Sequence, residues 1–399
     1  MKYAILIGDG MADYPIPELG FKSILEKANT ANMDAMVKAG QEGLVKNIPD
    51  NLPAGSDVAA LSLLGYDPAK FYTGRGPLEA ANMGVDLQDD ETAFRCNTVT
   101  VDKAVMTDYS AGHISTEDAK ILIEYMQSKL GTDKVHFYPG MSYRHLTVIK
   151  GDYAALKTTP PHDISGQKIE PYLPTGPGQE LVRGLMFDSV PLLETHLVNQ
   201  RRIDKNKRPC NMIWLWGQGK KPQLASFKEK FGLTGSIISA VNLIKGLGRY
   251  AGLNVIEVPG ATGYIDTNYR GKAEYALRSL EKNDFVFVHV EAPDEAGHNG
   301  DVQMKIKAVE DFDHEVVGRV YEGIKKFGDY RIIVLPDHPT PVSLKTHTRD
   351  AVPFVVAGSD IPASGLLRFD ELTVKKTKNI YDQGFKLIEK FLSKDKFDI

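Results

Sequence analysis

The sequence predicts an α/β protein in which a mostly parallel sheet, covered by helices on both faces, is interrupted by a smaller inserted α+β domain. Two observations support this fold class. Apolar runs typical of strands buried on both faces alternate with helical patterns near the start of the chain and again after residue 211. Between these regions, short strand-like pieces alternate with turns. We therefore predict a sheet domain of residues 1–86 and 211–399 and an inserted domain of residues 87–210.

The first sheet strand is predicted at residues 3–7, where an apolar run ends at Gly8-Asp9. A helical pattern covers about residues 24–39, and a turn then leads into an apolar helix that begins near Ser56. Serine is a preferred N-cap residue, so Ser56 has a simple structural interpretation. The position also suits a nucleophile, because free N–H groups at a helix start stabilise phosphate.

The two later regions differ in their predicted secondary structure. In the inserted domain, strands are expected at 94–101, 135–138 and 145–149, before a segment rich in proline and glycine. After residue 211, the predicted strands are 236–241, 255–258, 285–290, 331–335 and 353–356, and the predicted helices are 242–251, 271–282 and 302–327. Helices of this length between strands indicate parallel pairing.

Composition limits the classes of function. The 399 residues favour two domains, and 42% hydrophobic and 25% charged residues are typical of a soluble globular protein. The net charge of −4 argues against a nucleic-acid partner. No apolar run is long enough for a membrane span, and two cysteines cannot form a disulfide framework. We expect a cytoplasmic protein without membrane or nucleic-acid partners; the sequence does not indicate its oligomeric state.

Acidic and histidine side chains follow three of the predicted strands, and we call them the strand-end cluster. Its members are Asp9 after the first strand, Asp294 and His298 after 285–290, Asp337 and His338 after 331–335, and His347 in the next loop. Ligands of open parallel sheets bind at the carboxyl ends of the strands, so these side chains belong at one edge. Asp337 and His338 are adjacent and serve one centre only if the chain turns at Pro339-Thr340-Pro341.

Carboxylate and imidazole ligands suit manganese or zinc, and oxygen-rich sites favour manganese or magnesium. Three aspartates and three histidines are more ligands than one ion needs, so the sequence favours two metal ions. Two such ions can hold the entering and leaving oxygens of an in-line phosphoryl displacement.

Several motifs match those of a known family. They are Asp9-Gly10-Met11, Gly55-Ser56-Asp57, Gly65-Tyr-Asp-Pro68, Tyr72-Thr-Gly-Arg-Gly76, Ser110-Ala-Gly-His-Ile-Ser-Thr116, Ile213-Trp-Leu-Trp-Gly-Gln-Gly219, Pro293-Asp294, Gly297-His298-Asn299-Gly300, Asp337-His338 and Thr346-His347-Thr348. In this order they resemble cofactor-independent phosphoglycerate mutases, most closely the shorter, archaeal-type branch. That family belongs to the alkaline-phosphatase superfamily, which implies a metal-bearing domain interrupted by a smaller one.

The resemblance implies a role for each matching residue. Ser56 matches the nucleophile that becomes phosphoserine and also binds a metal. Asp9, Asp337 and His338 match the ligands of one divalent ion, and Asp294, His298 and His347 those of the other. The ions implied are two Mn²⁺, with Zn²⁺, Co²⁺ or Mg²⁺ as alternatives. Lys245 resembles a lysine that contacts the phosphoryl group, although a solvated helix lysine is an equal interpretation.

Substrate binding requires cationic and hydrogen-bonding groups from the inserted domain. The candidates are Arg95, Arg144, His145, His162, Asp163 and Arg202. Each arginine also has a simpler interpretation as a surface residue. The segment Thr159-Pro-Pro-His162-Asp163 matches a substrate-binding segment of the longer branch only in part.

The resulting hypothesis is a two-metal enzyme that interconverts 3-phosphoglycerate and 2-phosphoglycerate, with the inserted domain closing over the site. One alternative is a related phosphotransferase or phosphatase that acts on another small hydroxy compound, such as a homoserine kinase. Another alternative is a catalytically inactive scaffold, against which the complete set of Ser56 and the strand-end cluster argues.

Overall fold

The computed structural model describes residues 1–377 and 379–397, and the chain divides into two compact units. The first unit comprises Met1–Tyr72 and Gln223–Ile399, and the second comprises Thr73–Pro222. The second unit thus begins at 73 and ends at 222, whereas the sequence analysis placed these bounds at 87 and 210. The earlier start arises because the helix Arg75–Asn82 packs on strands of the second unit.

The predicted strands are present with ends shifted by a few residues, but the helical segment predicted at 24–39 is two helices, and the strands at 41–45, 105–108, 212–219 and 380–381 were not predicted. The strands are β1 (Lys2–Gly8), β2 (Gln41–Val45), β3 (Glu91–Asp102), β4 (Val105–Asp108), β5 (Val135–Met141), β6 (Arg144–Lys150), β7 (Met212–Gly219), β8 (Gly235–Ile238), β9 (Asn254–Val255), β10 (Phe285–Val290), β11 (Tyr330–Leu335), β12 (Val352–Gly358) and β13 (Ile380–Tyr381). The α-helices are α1 (Ile24–Lys27), α2 (Ala31–Ala39), α3 (Ser56–Leu63), α4 (Pro68–Phe71), α5 (Arg75–Asn82), α6 (Thr116–Leu130), α7 (Gln179–Glu194), α8 (Leu197–Asp204), α9 (Phe227–Phe231), α10 (Asn242–Tyr250), α11 (Tyr269–Leu280), α12 (Ala292–Asn299), α13 (Val302–Asp311), α14 (Gly318–Ile324), α15 (Glu371–Val374) and α16 (Gly384–Leu392).

An eight-stranded sheet forms the centre of the first unit, in the order β13-β2-β12-β11-β1-β10-β8-β9. β1 pairs in parallel with both β10 and β11, and β10 pairs in parallel with β8. β12 is antiparallel to its neighbours β11 and β2. The predicted mostly parallel α/β sheet is therefore confirmed.

Both faces of this sheet are covered by helices. On one face, Ala4 and Leu6 join a core that includes residues of α2, α11, α13 and α14. On the other face, the ring of Tyr3 lies 5.8 Å from that of Phe391 in α16, and Phe285 stacks on Phe227 of α9 at 4.4 Å. Burial on both sides explains the continuous apolar runs of β1 and β10.

The helix predicted at 302–327 is continuous but irregular. A π-helical turn, Phe312–Val317, lies between α13 and α14, and a 3-10 turn, Lys325–Phe327, follows. The π turn carries Asp313, whose carboxylate accepts from the backbone N–H groups of Asn32 (3.0 Å) and Met33 (2.8 Å) at the start of α2. The irregularity thus supplies acceptors for two otherwise unpaired helix donors.

The second unit is built on a five-stranded antiparallel sheet. β3 pairs with β4, β6 and β7, and β5 pairs with β6. α6 and α7 pack against this sheet around a core that contains Phe94 and Trp214. This arrangement confirms the predicted α+β character of the insertion.

Two further features concern the chain as a whole. Within 1–377 and 379–397, no helix combines the length and the apolar character that crossing a membrane requires. Cys96 and Cys210 are buried free thiols, and burial raises the pKa of Cys96 to about 12. Both thiols therefore remain protonated at neutral pH.

Arg331 of β11 fastens the C-terminal helix to the sheet. Its side chain is fully buried, and its guanidinium donates to the carbonyls of Phe391 (3.0 Å), Ser393 (2.8 Å) and Asp395 (2.5 Å). It also pairs with Asp360 at 2.7 Å. One planar cation thus satisfies several carbonyl groups that the end of α16 leaves without partners.

We predict that Arg331→Met lowers the free energy of unfolding by about 3 kcal/mol, because it leaves buried acceptors and Asp360 without their donor. Arg319→Met is the matched control, since Arg319 makes a partly exposed i,i+4 pair with Glu315. The control should change stability by less than about 0.5 kcal/mol. Denaturant titration measures both values, and equal losses in the two variants would contradict the assigned role of Arg331.

Candidate active site

The parallel sheet brings the strand-end cluster together. Gly8 of β1 lies beside Val290 of β10, and Ile7 lies beside Leu335 of β11. The chain segments that follow these strands therefore leave the sheet at the same edge, as the topology of the sequence predicted. After β11 the chain turns, so that His338 Nε2 lies 3.3 Å from Asp337 Oδ2.

The first group of the cluster surrounds Ser56. The Ser56 Oγ atom lies 3.2 Å from His338 Nε2 and 3.5 Å from Asp9 Oδ1. His338 Nε2 is 3.6 Å from the same Asp9 oxygen. Asp337 Oδ1 accepts from the backbone N–H groups of Gly10 (3.0 Å) and His338 (2.9 Å). Two carboxylates, one imidazole and the serine hydroxyl thus converge.

The second group consists of Asp294, His298 and His347. The two Asp294 oxygens lie 3.2 Å from His298 Nε2 and 3.3 Å from His347 Nε2, and the two imidazole atoms are 2.8 Å apart. The groups are adjacent, because Asp9, Asp294 and His338 also offer ligand atoms within 4.8 Å of one another.

The contacts of Nδ1 in His298 and His347 determine which ring nitrogen faces the cluster. His298 Nδ1 lies 3.0 Å from the carbonyl of Lys345, and His347 Nδ1 lies 3.2 Å from the carbonyl of Ala54. Carbonyl oxygens can only accept, so both Nδ1 atoms are donors. Their Nε2 atoms therefore point toward Asp294 in the orientation that metal-binding histidines adopt.

The charges of the first group favour a bound cation. Burial raises the pKa of Asp9 well above its ordinary value, and the carboxylates of Asp337 and Asp294 raise it further. Burial lowers the pKa of His338 to about 4, so its imidazole is neutral at pH 7. Asp337 Oδ2 is buried and has no hydrogen-bond partner in the described part of the chain. Repelling carboxylates beside a neutral imidazole fit divalent metal ions.

The second group binds protons when no metal is present. The hydrogen bond with Asp294 raises the pKa of His298 to about 9. Burial lowers the pKa of His347, but the bond to Asp294 outweighs it and the pKa is raised. A metal ion bound here would replace these protons, because imidazole ligates in its neutral form.

Ser56 is not a helix cap. Gly55 occupies the N-cap position of α3, and Ser56 is the first helical residue. Its hydroxyl faces the cluster and makes no capping hydrogen bond. The structural interpretation considered for Ser56 is therefore wrong, and the exposed end of α3 favours negative charge beside it.

Gly10 allows the loops of the cluster to approach each other. Its φ of +59° lies in the left-handed region, and a Cβ atom there would lie 2.6 Å from Asp294 Oδ1 and against Thr340 Oγ1. Thr340 Oγ1 in turn donates to Asp294 Oδ1. A larger residue at position 10 would push these loops apart.

Three charged residues behind the cluster were missed by the sequence analysis. His289, Glu291 and Lys272 are all buried, and His289 Nε2 lies 3.4 Å from Asp9 Oδ2. Burial opposes it, but the negative charges of the neighbouring Glu291 and Asp337 carboxylates raise the pKa of His289 to about 9. The position of His289 near the end of β10 was the available signal; nothing in the pattern around Lys272 distinguishes it from a surface lysine.

Lys245 does not contact the cluster through any hydrogen bond of the described residues. Its Nζ atom lies 2.6 Å from Glu257 Oε2, and its side chain is 12% exposed. It belongs to α10, which packs against α3, the helix that begins at Ser56.

Three of the predicted substrate-binding residues lie near aromatic rings of the second unit, and a fourth pairs with one of them. The Arg95 guanidinium lies 4.7 Å above Trp216 and 3.2 Å from Glu79. Exposed Arg144 lies over Tyr143, His162 packs edge-on to Trp216 and Tyr109, and Asp163 Oδ1 lies 3.5 Å from His162 Nε2. Burial lowers the pKa of His162, with a further contribution from Arg75 and Arg95.

The other two lie inside the second unit. His145 is 3% exposed, its Nδ1 accepts from the N–H of Gly140, and burial lowers its pKa to about 3. The guanidinium of buried Arg202 donates to the carbonyls of Ala111 and Arg208 and pairs with Asp118. His145 is therefore neutral at pH 7, and the donors of Arg202 already have acceptors.

The chain resembles known proteins in sequence and in structure. A sequence profile of 2,3-bisphosphoglycerate-independent phosphoglycerate mutase matches residues 37–199. A protein of that name from Methanosarcina barkeri (strain Fusaro / DSM 804) is 56% identical over 379 residues, covering 94% of this chain and 95% of the relative.

Two solved structures resemble the whole chain. A protein from Pyrococcus horikoshii has a TM-score of 0.83 at 29% identity and covers 99% of this chain and 98% of its own. The cofactor-independent phosphoglycerate mutase from Thermoplasma acidophilum DSM 1728 has a TM-score of 0.65 at 26% identity and covers 98% of both chains. With identity of 56% across nearly its full length, this chain belongs to the 2,3-bisphosphoglycerate-independent phosphoglycerate mutase family.

Proposed function

We propose that this protein interconverts 3-phosphoglycerate and 2-phosphoglycerate through a phosphoserine at Ser56, without 2,3-bisphosphoglycerate. The observation that carries the proposal is the position of Ser56 Oγ, 3.2 Å from His338 Nε2 and 3.5 Å from Asp9 Oδ1. A hydroxyl at a helix start among metal-binding groups is suited to phosphoryl transfer. A relative with 56% identity carries the name of this activity.

The reaction consists of two transfers. In the first, a bond forms between Ser56 Oγ and phosphorus while the bond from phosphorus to the 3-oxygen breaks. Ser56 loses its hydroxyl proton, and the 3-oxygen gains one. Glycerate then turns without leaving, and its 2-hydroxyl oxygen takes the phosphoryl group, losing its proton as Ser56 regains one. Water must be excluded meanwhile, because hydrolysis of phosphoserine would convert the mutase into a phosphatase.

The strand-end cluster provides for two metal ions in this proposal. Asp9, Asp337, His338 and Ser56 would hold one ion, and Asp294, His298 and His347 would hold the other. Bound ions supply positive charge that stabilises the phosphoryl oxygens and favours ionisation of the serine hydroxyl. We assign Mn²⁺ rather than Zn²⁺, Co²⁺ or Mg²⁺, since mixed carboxylate and imidazole ligands suit it. Lys245 would add charge beside the phosphoryl group after releasing Glu257.

We assign binding of the rest of the substrate, and exclusion of water, to the second unit. Arg95, Arg144 and His162 are its strongest candidates, because they combine cationic or hydrogen-bonding groups with aromatic neighbours. Asp163 would orient His162. His145 and Arg202 support the unit internally, since Nδ1 of His145 and the guanidinium of Arg202 are engaged there.

The alternative functions receive less support. Relatives that cover more than nine-tenths of this chain carry the name phosphoglycerate mutase, which does not favour a homoserine kinase or a phosphatase. An inactive scaffold would not need Ser56 and two convergent histidine–aspartate groups. Free Cys96 and Cys210 support the further proposal of a cytoplasmic location, where thiols stay reduced.

The first prediction from the proposed function concerns metal dependence. Activity on 3-phosphoglycerate, assayed without 2,3-bisphosphoglycerate, should vanish after chelation and return with added Mn²⁺. The physical reason is that the buried carboxylates of the cluster need a compensating cation. Full activity in a sample that elemental analysis shows to be free of divalent metal would contradict the two-metal proposal.

The second prediction concerns the nucleophile. Ser56→Ala should lower turnover by about 10⁴- to 10⁶-fold, as the loss of a nucleophilic serine does in other enzymes. Its melting temperature should change little, because Ser56 is not a cap. Ser62→Ala in the same helix is the control: it removes a buried hydrogen bond to the Asn47 carbonyl and should cost about 1 kcal/mol while activity persists. Mass spectrometry of wild-type protein quenched during turnover should find phosphate on the peptide that contains Ser56. Phosphate on a different peptide would refute Ser56 as the nucleophile.

The third prediction concerns pH. Because the pKa of His298 is raised to about 9 in the metal-free protein, its imidazole is protonated at pH 7. Metal must displace this proton, so Mn²⁺ affinity should fall as pH is lowered from about 9 to about 7. Calorimetry in two buffers of different ionisation enthalpy should detect proton release at pH 7. An affinity that does not depend on pH across this range would exclude His298 as a ligand.

A further inference from the structure

A buried row of charged side chains lies behind Asp9 and Asp337. It consists of His289 in β10, Glu291 just after β10, and Lys272 in α11. Their exposed fractions are 1%, 4% and 0%. Fully buried charges are retained at a cost, and none of these three is among the ligands proposed above. Their contacts indicate what the row does.

Glu291 is held by four donors. Its Oε1 atom accepts from Ser239 Oγ at 2.8 Å and from the N–H of Ala240 at 2.6 Å, and it lies 3.2 Å from His289 Nδ1. Its Oε2 atom pairs with Lys272 Nζ at 2.5 Å. Lys272 also donates to the His289 carbonyl at 2.8 Å. The carboxylate is therefore fixed, and it makes Nδ1 of His289 a donor.

The other ring nitrogen faces the strand-end cluster. His289 Nε2 lies 3.4 Å from Asp9 Oδ2 and 3.9 Å from Asp337 Oδ2. Within the described residues, neither His289 Nε2 nor Asp337 Oδ2 has a hydrogen-bond partner. The two oxygens of the Asp9 carboxylate therefore have different neighbours: Oδ2 faces His289, and Oδ1 faces Ser56 and His338.

We propose that His289 is a positioning residue: both of its ring nitrogens face carboxylates, so it acts as an imidazolium that directs its Nε2–H at Asp9 Oδ2 (3.4 Å) and keeps the other Asp9 oxygen directed at Ser56. This inference rests on the proposed two-metal function. A carboxylate that ligates a metal is commonly oriented by a hydrogen bond to its other oxygen, and the loss of such a partner weakens metal binding about 10- to 100-fold. Glu291 and Lys272 set the orientation of the donor.

The alternative is that His289 ligates a third ion with Asp9 and Asp337. These three residues do offer ligand atoms within 4.8 Å of one another. However, all three are buried, whereas Ser56, His298 and His347 are partly exposed. Hard divalent ions take about six ligands and usually retain water, for which a fully buried three-residue position is unsuited. The donor role is therefore favoured.

The test compares two substitutions of the full-length protein. Gln places its amide nitrogen where His289 has Nε2, whereas Asn places it where the ring has Nδ1. For His289→Asn, we expect one of the two Mn²⁺ ions to bind about 10- to 100-fold more weakly while the other is unaffected. His289→Gln should recover about tenfold of that loss. Titration with Mn²⁺ against a chelating dye measures both affinities, and circular dichroism checks folding.

His314→Asn is the matched control, because exposed His314 also pairs through Nδ1 with a glutamate, Glu315. It should bind both ions as wild type does. If His289→Asn does not fold, Glu291→Gln replaces it, and weaker binding of the same ion is again expected. If the folded variant binds both Mn²⁺ ions as tightly as wild type does, the inference about His289 is wrong, while the proposed function is unaffected.

Metal stoichiometry separates the remaining outcomes. Two ions in wild type and in His289→Gln support a positioning role. Three ions in wild type and two in His289→Gln would make His289 a ligand and overturn the inference. Wild-type protein that binds no Mn²⁺ would remove the proposed function and this inference with it.

Discussion

The repulsion among three carboxylates, of which two are buried and one is partly exposed, is the constraint on which this site depends. Parallel pairing of β1 with β10 and β11 places Asp9, Asp294 and Asp337 at one edge of the sheet. Taking like charges out of water together is unfavourable unless cations or donors compensate. The surrounding structure supplies these donors: backbone N–H groups reach Asp337, a threonine hydroxyl reaches Asp294, and imidazoles border all three. Divalent ions held by these residues would complete this compensation and would supply the charge that phosphoryl transfer requires.

Much of this arrangement could be predicted from the sequence because it depends on local patterns. A strand buried on both faces reads as a continuous apolar run, and parallel pairing follows from the helices between such runs. Once the strands are placed, the residues after their carboxyl ends must share an edge. That is why Asp9, Asp294 and Asp337 could be grouped although they are distant in the chain.

The features that could not be predicted from the sequence depend on contacts with partners that no local pattern identifies. Lys272 lies in a helix beside other charged residues, and only its pairing with Glu291 shows that it is buried. His145 and Arg202 have the residue types that bind anions, yet Nδ1 of His145 and the guanidinium of Arg202 contact backbone groups of their own unit. The compact second unit begins at residue 73 rather than at the predicted 87, because the packing of α5 on β3 and β7 assigns it to that unit and no local pattern reveals this packing. Hydrophobic periodicity indicates which face of a helix or strand is buried, but it does not identify the element against which that face packs.

The position of β1 has a consequence for how the chain acquires its structure during synthesis. β1, residues 2–8, is synthesised well before both neighbouring strands, β10 and β11, which lie beyond residue 284. The N-terminal strand therefore waits, apolar and without its ladder partners, while the second unit, Thr73–Pro222, is complete much earlier. Long-range pairing of this kind is slow and leaves a strand edge open to aggregation. Asp9 cannot meet Asp294 and Asp337 until residue 337 has been synthesised, so the nascent chain has no assembled strand-end cluster before that point.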